Sequence, residues 1–158
     1  MSMLSDLIRI FISSFVGTLG FAVILQAPRK AWIISSVLGG LSYSLYWGVM
    51  QLGMGDPFAN FAASLIISLT AQLCARRMRM IATVFVSLSL IPLVPGLGLY
   101  RCMELLGQGR NAAGLQAGVA AMISIMMIAL GLAIGAFIFR AIISTKPKRI
   151  LNQGGERP

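Results

Sequence analysis

The residues with the clearest chemical potential lie in one run, Ile91-Pro92-Leu93-Val94-Pro95-Gly96-Leu97-Gly98. Each proline removes a backbone donor, and its ring clashes with the carbonyl four residues earlier, here those of Leu88 and Ile91. Gly96 is free to take a positive φ that other residues resist. Together these residues predict an interruption of any helix through this run, not a mere bend. A second half-helix that starts near Gly96 and runs through Tyr100, Arg101 and Glu104 offers first-turn N–H groups and the positive end of its dipole. A carboxylate near Gly96 and Gly98 would meet that end, with Tyr100 and Arg101 beside it. The chemistry on offer is recognition of a small anionic group.

A second pattern is Asn60, Ser64, Ser68 and Gln72, spaced by four and therefore on one helix face. Amide side chains left unpaired in hydrocarbon are costly, so this face meets protein or water. It reads either as interhelical hydrogen bonding, worth about 0.6–2 kcal/mol per contact, or as the wall of a polar pathway. Its extent along most of the segment favours the pathway. A third pattern consists of small residues: Ser36, Gly40, Ser44 and Gly48, then Gly131 and Gly135. At this spacing they let two helix backbones approach closely, within the chain or against a partner.

Absences narrow the function. There is no His, and the long apolar stretches contain no Asp, Glu, Lys or Arg. That leaves no buried proton relay, no nucleophile–base pair and no metal cluster, so neither an enzyme nor a cofactor or metal site is expected. Cys74 and Cys102 read as small buried hydrophobes at the ends of different spans, on opposite sides, and not as a disulfide.

The elements that must position these residues are membrane helices. Of 158 residues, 58% are hydrophobic and 11% charged, with a mean hydropathy of +0.88. Soluble domains carry about 25% charged residues. Five charge-free stretches, Ile10–Pro28, Ala31–Gly55, Pro57–Ala75, Met80–Tyr100 and Asn111–Phe139, each reach the ~18 residues that mark a spanning helix. The last either tilts or includes a loop before a helix that starts near Leu115. None alternates as a barrel strand would. The fold expected is all-α: a polytopic protein of about five transmembrane helices, the fourth interrupted at the Pro-x-x-Pro-Gly element. The domain is 1–143, followed by a basic cytoplasmic tail at 144–158. Asp56-Pro57 reads as a helix cap with Pro at the first helical position. A cleavable leader is not expected, because Asp6 and Arg9 cancel in the leading region and no cleavage site follows Leu25.

The net charge of +9 sits in short runs between apolar stretches, which fits topology signals and not a nucleic-acid groove. Arg29, Lys30, Arg76, Arg77, Arg79, Arg140, Lys146, Lys148, Arg149 and Arg157 share one side. Only Arg9, Arg101 and Arg110 of the thirteen basic residues lie on the other. The positive-inside tendency then places the N-terminus outside and the C-terminus in the cytoplasm.

Gly17-Thr18-Leu19-Gly20-Phe21-Ala22 followed by Ala27-Pro28-Arg29-Lys30, Phe61-Ala62-Ala63-Ser64-Leu65, and Ile91-Pro92-Leu93-Val94-Pro95-Gly96 with Tyr100 downstream form a set of landmarks. By these, roughly from Ser14 to Arg140, the chain resembles the small membrane subunit of the threonine/serine exporter family. That family has single-chain and split two-subunit forms, the latter including systems implicated in succinate export. The resemblance implies export of small carboxylate-bearing metabolites across a bacterial inner membrane, together with a larger partner subunit. It singles out Pro92, Pro95, Gly96 and Tyr100 as structural or pathway residues. Two other readings stand beside it: an assembly or regulatory subunit with transport residing in the partner, and a homo-oligomer forming a passive channel.

Overall fold

The computed structural model describes residues 3–144. These form α1 (Met3–Ile24), α2 (Arg29–Gln51), α3 (Asp56–Met78), α4 (Ala82–Leu90), a 3₁₀ turn (Ile91–Leu93), α5 (Gly96–Gly107) and α6 (Asn111–Ser144), with no strand among the described residues. Four helices, α1, α2, α3 and α6, are long and apolar enough to cross a membrane. The pair Ala82–Leu93 and Gly96–Gly107, bent by 49° at the break, is long and apolar enough to make a fifth when the two helices are taken as one span. The chain is therefore an all-α polytopic membrane protein. The basic tail falls, after Ser144, outside the described residues.

Local chemistry fixes the turns. Gln26, at φ 50°, closes the α1–α2 corner, and the Trp32 indole N–H donates to the Ala27 carbonyl at 2.7 Å. Gly53 (φ 78°) and Gly109 (φ 75°) occupy the left-handed region in the α2–α3 and α5–α6 turns, where a side chain would be strained. Three sequence expectations change. Asp56 makes no capping hydrogen bond: Gly55 is the N-cap, Asp56 is the first helical residue and Pro57 the second. Of the two readings of the last stretch the loop before Leu115 falls: the helix starts at Asn111, and its 34 residues extend about 51 Å, well beyond the ~30 Å hydrocarbon core. Gly96 does not use a positive φ. The backbone turns instead at Val94 (φ −60°, ψ 125°) and Pro95 (φ −76°, ψ 57°).

Small residues set the helix spacing. A side chain at Gly39 would collide with Thr18, and one at Gly40 would stand 2.8 Å from the Phe11 ring, so α1 and α2 touch closely. Gly131 and Gly135 of α6 play the same part against α3: a Cβ on Gly131 would strike the Ser64 hydroxyl, and one on Gly135 would lie 2.7 Å from Ser68 Cβ. Phe85 is fully buried among Ala31, Leu38, Ala71 and Ala75, which fixes α4 between α2 and α3. Leu93, in the 3₁₀ turn, packs with Ala63 of α3 and Ile128 of α6 and anchors the break in the bundle. Beyond the break α5 packs chiefly on α6 as an antiparallel hairpin. Gly98 meets Ala121, Cys102 meets Gly118 and Leu106 meets Gly114.

Candidate functional site

The break begins with the two prolines. The Leu88 and Ile91 carbonyls, which lose their α-helical donors, are recovered by tighter bonds: the Ile91 N–H donates to Leu88, and the Val94 N–H donates to Ile91 at 3.4 Å. The interruption therefore leaves few orphan carbonyls. What it frees is the start of α5. The Gly96 N–H turns back to the Val94 carbonyl at 2.7 Å, and the next N–H groups belong to a first turn, which has no acceptor within its own helix.

This start of α5 opens on a cavity of about 500 Å³. Pro92 through Gly98 form one wall, Asp56 and Asn60 of α3 another, and Tyr43 and Tyr46 of α2 a third. Arg101 of α5 and Ser124 of α6 complete it. At its centre the Asp56 carboxylate joins three helices. The Tyr46 hydroxyl donates to Oδ1, and the Ser124 hydroxyl donates to Oδ2 at 2.7 Å. The Asn60 side-chain amide donates to the main-chain carbonyl of Asp56 at 3.0 Å. The Tyr43 and Tyr46 rings pack at 5.5 Å between centroids, inclined by 37°. The acid is thus held by neutral hydroxyls, while a guanidinium shares the same cavity. Charge-assisted hydrogen bonds to such groups are about twice as strong as neutral ones.

The structure gathers only some of the residues singled out by sequence. Pro92, Pro95, Gly96, Gly98, Arg101 and Asn60 all line the cavity. Tyr100 does not: it is 64% exposed on the outer face of α5. Of the polar line on α3, only Asn60 reaches the cavity. Ser64 and Ser68 are buried against α6, where Ser68 donates to the Leu132 carbonyl at 3.2 Å, and Gln72 donates to the Ser68 carbonyl and hydroxyl at 3.2 Å each. Ser64 and Ser68 thus lie in the α3–α6 contact, and Gln72 is half-buried with its hydrogen bonds inside α3. Among the small-residue candidates, Ser36 is buried and donates to Trp32, Ser44 donates to Gly40, and Gly48 has open space around it.

Sequence reasoning missed Asp56, Tyr46, Tyr43 and Ser124. The sequence places Asp56 as a helix cap between two charge-free stretches, which gives it a role at the end of a span and none in a site. The signal was present one step back: Asp56 precedes Asn60 by four residues and begins the same polar line. Tyr46 and Ser124 lie in apolar runs that give no sign of their partner. Among the described residues no group of three or more His, Cys, Asp or Glu could hold a metal ion.

No solved structure matches this chain. The family model described as Threonine/Serine exporter, ThrE, a transporter and not an enzyme family, matches residues 10–138. With most of its length covered by that match, and with several membrane helices around a polar cavity at a broken span, the chain belongs to the threonine/serine exporter family, ThrE.

Proposed function

We propose that the cavity at the break is the substrate site of this exporter and that it takes a zwitterionic α-amino acid. The observation that carries this is the presence of one acid and one base, Asp56 and Arg101, in the lining of a single cavity beside the start of α5. Arg101 and the first-turn N–H groups of α5 suit the carboxylate. Asp56, already hydrogen-bonded by Tyr46 and Ser124, suits the ammonium. A dicarboxylate such as succinate places its second carboxylate toward Asp56, and like charges in a shared site repel. This favours threonine- and serine-type substrates over succinate.

The reading includes a larger partner subunit of the same family in a bacterial inner membrane, with the basic ends of the helices in the cytoplasm. It is supported by α1, where Gly20 is exposed with no neighbour within 4 Å of an added Cβ, beside the exposed Val16, Val23 and Ile24, a surface on which a further helix can pack closely. The test is efflux from preloaded cells expressing the full system, over a panel of amino and dicarboxylic acids. Asp56→Asn is expected to lower threonine efflux and spare dicarboxylates, and Arg101→Gln to lower both. Wild-type efflux in both variants, with the protein present in the membrane, would remove the cavity from the transport route.

A further inference from the structure

Two more cavities lie along the broken span. Toward its basic end, Leu25 and Ala27 at the end of α1 face Thr83, Ser87 and Leu88 of α4 across about 400 Å³. Next along the span, Ser13, Ser14, Gly17 and Thr18 of α1, with Tyr43, Ile91 and Pro92, line an open groove of about 310 Å³. The third in the series is the cavity that holds Asp56 and Arg101. From Thr83 to Arg101 the lining residues follow one another with no step longer than three residues. On α1, Ser13, Ser14, Gly17, Thr18 and Phe21 recur at helical spacing and form one continuous face, which Leu25 extends just past the helix end. Hydroxyls punctuate this seam at Ser13, Ser14, Thr83 and Ser87. Tyr43 and Pro92 line both the middle and the outer cavity, so the two spaces adjoin at this pair.

We propose that the three cavities are successive compartments of one route along the α1–α4 seam, and that the Tyr43 ring, closing on Pro92, is the gate between the outer two. The inference rests on the reading of the outer cavity as a substrate site. It also supplies a link between occupancy and opening. Tyr46 donates its hydroxyl to Asp56, and Tyr43 packs on the Tyr46 ring. A substrate ammonium that takes Asp56 competes with that hydroxyl, releases Tyr46, and removes the surface that holds Tyr43 in place. The gate is thus biased by a differential contact made only when the site is filled. Pro92 is a fixed jamb, because its φ is locked and Leu93 beside it is anchored in the core.

The test uses the full chain in its native membrane with Cys74 and Cys102 replaced by Ser. Single reporters are Ala120→Cys in the outer cavity and Gly17→Cys in the middle one, where an added side chain meets open space. A membrane-impermeant methanethiosulfonate is applied to intact cells and to inverted vesicles. With Tyr43 present, Gly17→Cys reacts slowly from the side that labels Ala120→Cys; with Tyr43→Ala its rate from that side rises at least about tenfold, while Tyr43→Phe keeps it slow. Equal Gly17→Cys rates with Tyr43 and with Ala at that position would overturn the gate. A rise at both reporters reports general loosening and also counts against it. Protection of Ala120→Cys by saturating threonine reads the outer site separately, so loss of that protection removes the substrate reading without altering the rate ratio that judges the gate.

Discussion

Asn60 and Ser64 stand one turn apart on the same face of α3, yet they belong to different kinds of interior. From Ser64 onward the face is closed: Ser64 and Ser68 press on Gly131 and Gly135 so tightly that an added methyl has no room. At Asn60 and Asp56 the same face opens on a cavity because α4 ends at the 3₁₀ turn and α5 leaves at 49°. The polar side chains are of similar type in both places. What differs is the neighbour: glycines on α6 bring one end into contact, and the prolines draw the neighbouring helix away from the other. A polar line on a membrane helix therefore has no single meaning until its partner helix is known.

Four substitutions sharpen or break this contrast. Gly131→Leu should have the largest effect. The Phe61 carbonyl lies 2.7 Å and the Leu65 nitrogen 3.1 Å from a Cβ at Gly131, so the α3 and α6 backbones must separate. Overpacking of this kind costs about 1–3 kcal/mol or more, and the yield of folded protein in mild detergent, read by size-exclusion and thermal unfolding, should fall sharply. Asp56→Ala comes next. It leaves the Tyr46 and Ser124 hydroxyls without their carboxylate and, by the proposed reading, removes the ammonium partner, so threonine efflux should drop about tenfold or more. A folded Asp56→Ala protein with normal efflux would show that the open end of α3 is as structural as the closed end.

Pro95→Ala restores a backbone N–H and removes the ring that keeps α4 and α5 apart. Efflux should fall by about tenfold through misplacement of the α5 start, while the melting temperature stays close to the parent value, because Pro95 carries no core packing. The smallest change belongs to Ser68→Ala. It deletes one interhelical bond, to Leu132 at 3.2 Å, and should cost about 0.6 kcal/mol of stability with efflux unchanged. Should Ser68→Ala impair efflux at unchanged stability, the closed end of the line would belong to the transport route after all.

The break was legible because proline and glycine act on the backbone locally. Two prolines at 92 and 95 interrupt a helix whatever surrounds them, and the observed restart at Gly96 follows from their positions alone. Arg101 and Asn60 were legible as polar residues that lipid would reject. Tyr100 enters the reading through the Pro-x-x-Pro-Gly landmark and its place soon after Gly96, but on a helix adjacent residues point about 100° apart, and Tyr100 is 64% exposed on the outer face of α5. Asp56 reads from sequence as a cap only, because a charge count treats the end of a span as solvent, whereas Tyr46 of α2 and Ser124 of α6 reach its carboxylate from inside the bundle.

The sequence alone determined the helical membrane architecture, since apolar length and satisfied backbone bonds admit no other spanning structure here, and it determined where the fourth span fails. Only the tertiary structure decided which polar residues meet. Asp56, Tyr46, Ser124 and Arg101 come from four helices, and their convergence depends on crossing angles and close glycine contacts that no local pattern encodes. The physical reason is range: helix formation and breakage are settled within four residues, while the partner of a side chain across a helix interface is chosen by packing between segments as much as 68 positions apart.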